Sequence, residues 1–442
     1  MIIKLYKIFL EKINIFYNKE ILGAIKWSFI GQILTRLINL LSVIILARLM
    51  LPEKYGTYTY LIGTLVFFSQ LVSLSIRTTS TRNIAFLLNN DKKSCEKYIK
   101  ITLFAGIFLS VIGIILIGIL IANFSESNII KYYSTNLLLF TSLAIFSELF
   151  YGLILGILGG IKLFRIINLI TIASNFAKFI FTLIFYKLFD IEGAIIGWVS
   201  TSIIISLIGI VVLQIELIKN NLLIWTHKIS ESKKEFLLFI KISVPISIEA
   251  SLILISTWYI QTLILNDIKL GKTQLAIYNV AYQWKSIAIY VPAILINLLQ
   301  PFLSNYHGEG DKNKFNKLIN ITQKIVFIAS IIITLILSVL SGLIMKLFGN
   351  GFEDAKNVLI ILIIPSIFIG PSSLYREIFI SKGFVWIIAI GNFVLAISNI
   401  LLFIILREYF SLSISFALAI GCGEIFMFIF YLFIKYKFIK NE

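Results

Sequence analysis

Six ionisable side chains stand within stretches otherwise built from Ile, Leu, Phe and Val. They are the cations Arg36, Lys178 and Lys285 and the acids Glu148, Glu249 and Glu424. A charge at the centre of a membrane-crossing helix costs at least roughly 2.5–3.5 kcal/mol on insertion scales, so each such residue needs a partner or a use. Cations held away from water bind anions, and a buried diphosphate without one would be prohibitively costly. Acids in the same setting can take up an ion or gate a movement. The bland alternative stands beside these uses: Arg36 paired with Glu148 or Glu249 would simply hold helices together. Lys26, near the start of the first apolar run, is close enough to its end to snorkel.

Uncharged polar residues fall in register with the cations. Ser28, Gln32, Thr35, Asn39 and Ser42 repeat at alternating steps of four and three around Arg36. Asn168, Thr171, Asn175 and Thr182 do the same around Lys178, and Asn279, Gln283, Ser286 and Tyr290 run beside Lys285. On a helix this spacing makes one polar stripe per element. Such faces avoid lipid and are expected to meet each other or water. Amides such as Gln32, Asn39, Asn175, Asn279 and Gln283 suit sugar hydroxyls as well as ordinary helix–helix hydrogen bonding. Trp258, Tyr259, Tyr278, Tyr282 and Trp284 could stack on sugar faces, although for Trp258, Tyr259 and Tyr278 an interfacial aromatic belt is the simpler expectation.

The elements that carry these residues follow from composition. The chain has 442 residues, 59% of them hydrophobic and 14% charged, with a mean hydropathy of +0.97. A soluble globule of that length could not solvate its exterior. Apolar runs long enough to cross roughly 30 Å of hydrocarbon recur throughout, and in lipid such runs must be helices. The pattern predicts an all-α integral membrane protein with about twelve spans, near 23–49, 56–76, 98–122, 132–158, 163–186, 191–217, 239–265, 275–300, 318–345, 356–380, 384–406 and 411–434.

Between these spans, 26 of the 39 Lys and Arg fall on one set of alternating segments and only nine on the other. Cationic loops stay in the cytoplasm, so both termini are expected there and the span number is expected to be even. The longest inner loop, 220–236, divides the chain into a six-helix N-terminal lobe with an amphipathic lead-in, residues 1–220, and a six-helix C-terminal lobe, 221–442. Tyr55–Tyr58 and Ala276–Asn279 open the second and eighth spans at similar places in the two halves. Two lobes of equal topology are expected to be related by an axis along the membrane normal, with a central cavity between them.

Other functions are poorly supported. The net charge of +17 sits in short loops rather than on one basic face, which argues against nucleic acid. Cys95 and Cys422 frame no disulfide, and the distant His227 and His307 suggest no metal site. The lead-in Met1–Glu20 has no small-residue cleavage site. No GxxxxGK[ST] run exists for ATP hydrolysis, and the outer loops are too short for a polymerase or glycosyltransferase. No cofactor is expected, while coupling to a proton or sodium gradient stays open.

The run Ile45-Leu46-Ala47-Arg48-Leu49-Met50-Leu51-Pro52-Glu53-Lys54-Tyr55-Gly56-Thr57-Tyr58 resembles the signature after the first helix of Wzx-type O-antigen and capsule repeat-unit flippases. These form the polysaccharide transport family of the multidrug/oligosaccharidyl-lipid/polysaccharide superfamily. Gln300-Pro301-Phe302-Leu303-Ser304 with Gly308-Glu309-Gly310-Asp311, and Ser243-Val244-Pro245-Ile246, resemble two further segments of that family. Leu51 departs from it, standing where the family often has Gly. The resemblance implies a multi-pass protein of the bacterial inner membrane, a transporter rather than an enzyme. Its substrate would be an undecaprenyl-pyrophosphate-linked oligosaccharide moved from the cytoplasmic to the outer leaflet by rocking lobes. Arg36, Lys178 and Lys285 are then the candidates for pyrophosphate, with Gln32, Asn39, Asn175, Asn279 and Gln283 for pyrophosphate or sugar. Glu148, Glu249 and Glu424 are the candidates for coupling or gating. The partners implied are the glycolipid and membrane lipid, with a polysaccharide polymerase and chain-length machinery open as further ones. A drug/cation antiporter of the same superfamily would share the fold but should place an acid on the first span, where this chain has Arg36.

Overall fold

The computed structural model describes residues 19–123, 135–227, 232–308, 312–381 and 384–439. Most of the lead-in and the stretch Glu309-Gly310-Asp311 of the second motif lie outside them. Every regular element among the described residues is helical: α1 Lys19–Val72, α2 Ile76–Asn90, α3 Lys92–Asn123, α4 Thr135–Gly160, α5 Phe164–Lys219, α6 Lys233–Leu265, α7 Gly271–Gly308, α8 Lys312–Lys346, α9 Ala355–Ser366, α10 Ile369–Ser381, α11 Val385–Leu406 and α12 Leu412–Ile439. A short 3₁₀ turn, Ile224–Thr226, precedes α6.

Nine of the described helical stretches are long and apolar enough to cross a membrane. Two of them are each two spans. Ile30–Val72, with 43 residues, and Phe164–Lys219, with 56, would measure about 65 and 84 Å as straight helices, more than twice the roughly 30 Å of hydrocarbon. Each breaks where the sequence reading placed a loop, α1 at Leu51 (φ 59°) and α5 at Phe189 and Asp190. The α5 reversal is tight enough to demand glycine, since a Cβ on Gly193 would lie 2.0 Å from the Phe185 carbonyl oxygen. The polar helix α7, 38 residues long, supplies the twelfth span. α9 and α10 form a single span across a break at Ile367–Phe368.

The segment between the second and third predicted spans is helical rather than a loop. α2 is amphipathic and buries Ile76 and Ile84, and α3 begins at Lys92. Asp91 caps α3, accepting bonds from the Ser94 amide (3.2 Å) and hydroxyl (2.7 Å). Those bonds hold its carboxyl below the usual carboxylate range.

The chain divides into two compact units. The first takes Met1–Ser42, Ile76–Ile115 and Leu139–Lys241. Its core is mostly aliphatic, with Ile84, Leu153, Ile154, Ile157 and Leu213 packed together with the aromatic Tyr98 and Phe239. The second takes Val43–Ser75, Leu116–Leu138 and Ile242–Glu442. There α9 packs on α7, α8 and α12, and Val326, Tyr375, Phe379, Ile388 and Tyr431 close a core.

Within the second unit the signature run is a continuous seam. Arg48 donates to the carbonyls of Leu347 (2.5 Å) and Lys346 (3.3 Å), closing the C-terminus of α8. Gly56 lets its helix reach Lys272, since a Cβ there would lie 1.8 Å from the Lys272 carbonyl oxygen. Beyond it, Thr59 accepts from the Asn279 amide at 2.8 Å. The Tyr60 and Thr262 hydroxyls are 3.1 Å apart, and Trp258 donates to Thr64 at 3.1 Å.

Candidate functional site

In the first unit, α4 and the two halves of α5 bring three polar side chains to one point. Lys178 Nζ lies 2.5 Å from Glu148 Oε1. The Ser202 hydroxyl donates to the same oxygen at 2.7 Å. The ammonium also stands 4.2 Å from the centre of the Trp198 ring, a cation–π contact. Ser206 fastens α5 to α4 through the Ser147 carbonyl (2.7 Å). The group remains partly open, with 18% of the Lys178 and 20% of the Glu148 side chain exposed. Tyr151, one turn along α4, reaches the Thr171 hydroxyl at 3.4 Å.

The second unit holds two more intramembrane ion pairs. Lys285 on α7 meets Glu424 on α12 at 2.5 Å, with 1% and 11% of the side chains exposed. Arg376 on α10 places two guanidinium nitrogens on Glu249 Oε1, at 2.9 and 3.0 Å, and a third on Glu377 at 3.2 Å. Asn392 on α11 donates to the Glu249 carbonyl at 3.2 Å.

Each of the three acids Glu148, Glu249 and Glu424 therefore carries a cation, and two of those cations, Lys178 and Lys285, belong to the set assigned to anion binding. Arg36 is half-buried on α1, as is Asn39, and Gln32 on the same helix is exposed. The first and fifth polar stripes touch: a Cβ on Gly31 would lie 2.5 Å from Asn168 Oδ1. Several amides and hydroxyls serve their own helices, Thr35 bonding Gly31 O, Asn168 bonding Phe164 O and Asn175 bonding Thr171 O. Asn279 spends its amide on Thr59, and Gln283 is half-buried on α7.

Tyr278 is packed inside the second unit and is no part of the expected belt, while Trp258 is half-buried there. Trp258 stacks on Phe67, with ring planes 4° apart. Tyr278 is fully buried against Phe416. Tyr259 and Tyr282 are the exposed ones.

Sequence reasoning missed Arg376 as a site residue, although it stands near the end of the predicted span 356–380. It also missed Ser202, Trp198, Glu377 and Asn392. An uncompensated Glu249 in an apolar run was the available signal for Arg376, because a buried acid demands a cation somewhere on a facing span.

Comparison with known proteins places this geometry. The family model described as polysaccharide biosynthesis protein matches residues 22–307, more than half of the chain. A second model, MatE, matches residues 245–405. The capsular polysaccharide biosynthesis protein CapF of Staphylococcus aureus is 26% identical over 368 residues, covering 78% of this chain and 83% of CapF. Among solved structures, an inward-facing multidrug resistance MATE family transporter of the MOP superfamily superposes with a TM-score of 0.75 at 14% identity, covering 92% of this chain and 96% of that one. The lipid II flippase MurJ in an inward closed conformation superposes with a TM-score of 0.72 at 19% identity, over 92% and 86%.

Proposed function

This chain belongs to the polysaccharide biosynthesis protein family, and from that premise we propose that it is a flippase for an undecaprenyl-pyrophosphate-linked oligosaccharide. It is a multi-pass membrane transporter of the fold shared by MATE transporters and MurJ. The lipid-linked substrate and the outward direction are our reading. The observation that carries it is Lys178: a partly open cation in the middle of an apolar span, flanked by Trp198 and the Ser202 hydroxyl. A diphosphate headgroup leaving water needs such a charge. Half-buried Arg36, on the same compact unit, is the second cation of the site. Gln32, Asn39 and Asn175 supply amides for sugar hydroxyls. The relatives bear on the same point, since one is described as a capsular polysaccharide biosynthesis protein and another as a lipid II flippase.

In this reading the polyprenyl tail stays in lipid while the headgroup enters between lobes 1–220 and 221–442, whose rocking exposes it on the other side. Both termini lie in the cytoplasm of a bacterium, following the Lys and Arg distribution. A negative cell interior favours export of an anion by about 2.3 kcal/mol per charge per 100 mV. A cationic drug as substrate is disfavoured: Glu148, Glu249 and Glu424 are each already neutralised by a basic side chain. Coupling to protons or sodium would act through those acids.

The test is leaflet exchange of a fluorescent polyprenyl-pyrophosphate oligosaccharide in proteoliposomes. Wild-type protein should catalyse exchange, and Arg36→Ala and Lys178→Ala should lose it while remaining folded. Efflux of cationic dyes without glycolipid exchange would reject the flippase reading.

A further inference from the structure

The three intramembrane ion pairs differ in whether a ligand could enter them. Lys285 and Glu424 are sealed, with 1% of the lysine side chain exposed. Arg376 is the most open of the three cations, with 40% of its side chain exposed, but two carboxylates hold it at once, so an arriving anion would have to displace both. Lys178 is different: one carboxylate holds it, and 18% of its side chain is open.

We infer that the substrate's diphosphate and the Glu148 carboxylate compete for Lys178, so that loading the anion transfers a proton from water to Glu148. This rests on the proposed anion site and adds to it a coupling step. In the empty protein the ammonium neutralises the carboxylate, and Ser202 donates to the same oxygen. When the diphosphate takes the ammonium, Glu148 keeps only the hydroxyl. A carboxylate left without its cation in a poorly hydrated site binds a proton rather than stay charged.

From α5, Glu148 is faced by Lys178 and Ser202. On its own helix it is neighboured by Tyr151, on which Arg77 of α2 also acts. The Trp198 ring lies against the ammonium and carries no charge to replace it. The step balances: one O–H bond forms on Glu148 as one breaks in a hydronium ion of the surrounding water, which is left as neutral water and is replenished by the acid form of the buffer. The loaded site then holds the ammonium, a protonated acid and the dianionic diester. Its export moves one net negative charge fewer than the diester itself carries, and the proton travels with the headgroup.

The experiment is calorimetric titration of the full-length protein in detergent with geranyl-diphospho-N-acetylglucosamine, a diester whose phosphates do not titrate near neutrality. Each titration is run in two buffers of different ionisation enthalpy, which reads proton uptake directly. The wild type should take up close to one proton per diester bound, and binding should weaken as pH rises. Glu148→Gln, which keeps the Ser202 bond and frees Lys178, should bind tighter by about tenfold, the order expected when a competing ion pair is removed, with no proton uptake. Glu408→Gln, at a carboxylate whose side chain is 69% exposed and outside every proposed site, should leave the uptake unchanged. Wild-type binding without proton uptake, or uptake that persists in Glu148→Gln, overturns the exchange while leaving the anion site standing. Failure of the wild type to bind the diester at all overturns the anion site, and the exchange with it.

Discussion

Lys285 Nζ lies 2.5 Å from Glu424 Oε1 with only 1% of the lysine side chain exposed, which makes this pair a fixed joint between α7 and α12. Its second carboxylate oxygen and the nearby Tyr278 hydroxyl are buried without a hydrogen-bond partner. Removing one member of such a pair strands a charge, at about 3–5 kcal/mol, whereas replacing both with apolar groups of similar volume is often neutral. Lys285→Met should therefore unfold well below the wild type in a detergent thermal melt. Lys285→Met combined with Glu424→Leu should recover most of the loss. A single variant as stable as the wild type would show that the pair supports nothing.

Arg376 gives a sharper version of the same test. Its guanidinium spans Glu249 and Glu377, and both acids are largely buried. Arg376→Gln leaves two carboxylates facing one another without a cation; with 40% of the arginine side chain exposed, the loss should be about 1–3 kcal/mol, below that of a fully buried pair. Arg376→Lys restores the charge but not the fork, and should recover only part of that. Equal melting of Arg376→Lys and the wild type would mean that charge alone matters.

Leu51 is the one departure from the signature, and the structure gives it a physical meaning. Its φ of 59° lies in the left-handed region, which glycine adopts without penalty and leucine does not. The side chain is 60% exposed, so little packing would be lost. Leu51→Gly should stabilise the protein by about 1 kcal/mol. A lower melting temperature for that variant would show that the leucine contributes more by contact than it costs in strain.

The same residues mark what could be read in advance. Long apolar runs with cationic gaps specify helices and their number almost unaided, because lipid permits no other backbone. The Leu51 and Asp190 breaks fell where the spans had been divided. Pairing was not legible. Lys178 and Glu148 are 30 residues apart in sequence, and Lys285 and Glu424 are 139 apart. Which cation meets which acid depends on helix neighbours and rotation, which composition does not encode. Polar stripes were equally ambiguous, since Asn175 bonds its own helix while Asn279 bonds Thr59. The 3.6-residue period fits both outcomes.

Gly56 shows how a motif residue acts through space. A methyl group there would sit 1.8 Å from the Lys272 carbonyl oxygen, a backbone atom that cannot step aside. Gly56→Ala should force α1 and the start of α7 apart and sharply reduce the yield of folded protein. Gly342, whose Cβ would meet nothing nearer than 3.9 Å, should accept alanine with little effect. Equal yields from the two variants would remove close helix approach as the reason for glycine at position 56.

The seam that follows Gly56 offers the most direct test of movement. Asn279 Nδ2 donates to Thr59 Oγ1 at 2.8 Å, Tyr60 meets Thr262, and Trp258 both donates to Thr64 and stacks on Phe67. Each contact is a hydrogen bond or an aromatic stack, worth about 0.5–1.5 kcal/mol. A seam of that strength can open at a cost that substrate binding could offset. The proposed cycle requires it to open once per headgroup released. Thr59→Cys with Asn279→Cys, in a background lacking Cys95 and Cys422, puts two thiols where these side chains now touch, so that a disulfide between them would tie α1 to α7. Oxidation should stop glycolipid exchange in proteoliposomes, and reduction should restore it to the level of the unoxidised protein. Exchange at full rate in the oxidised protein would show that the seam is static, and that the substrate leaves without parting α1 from α7.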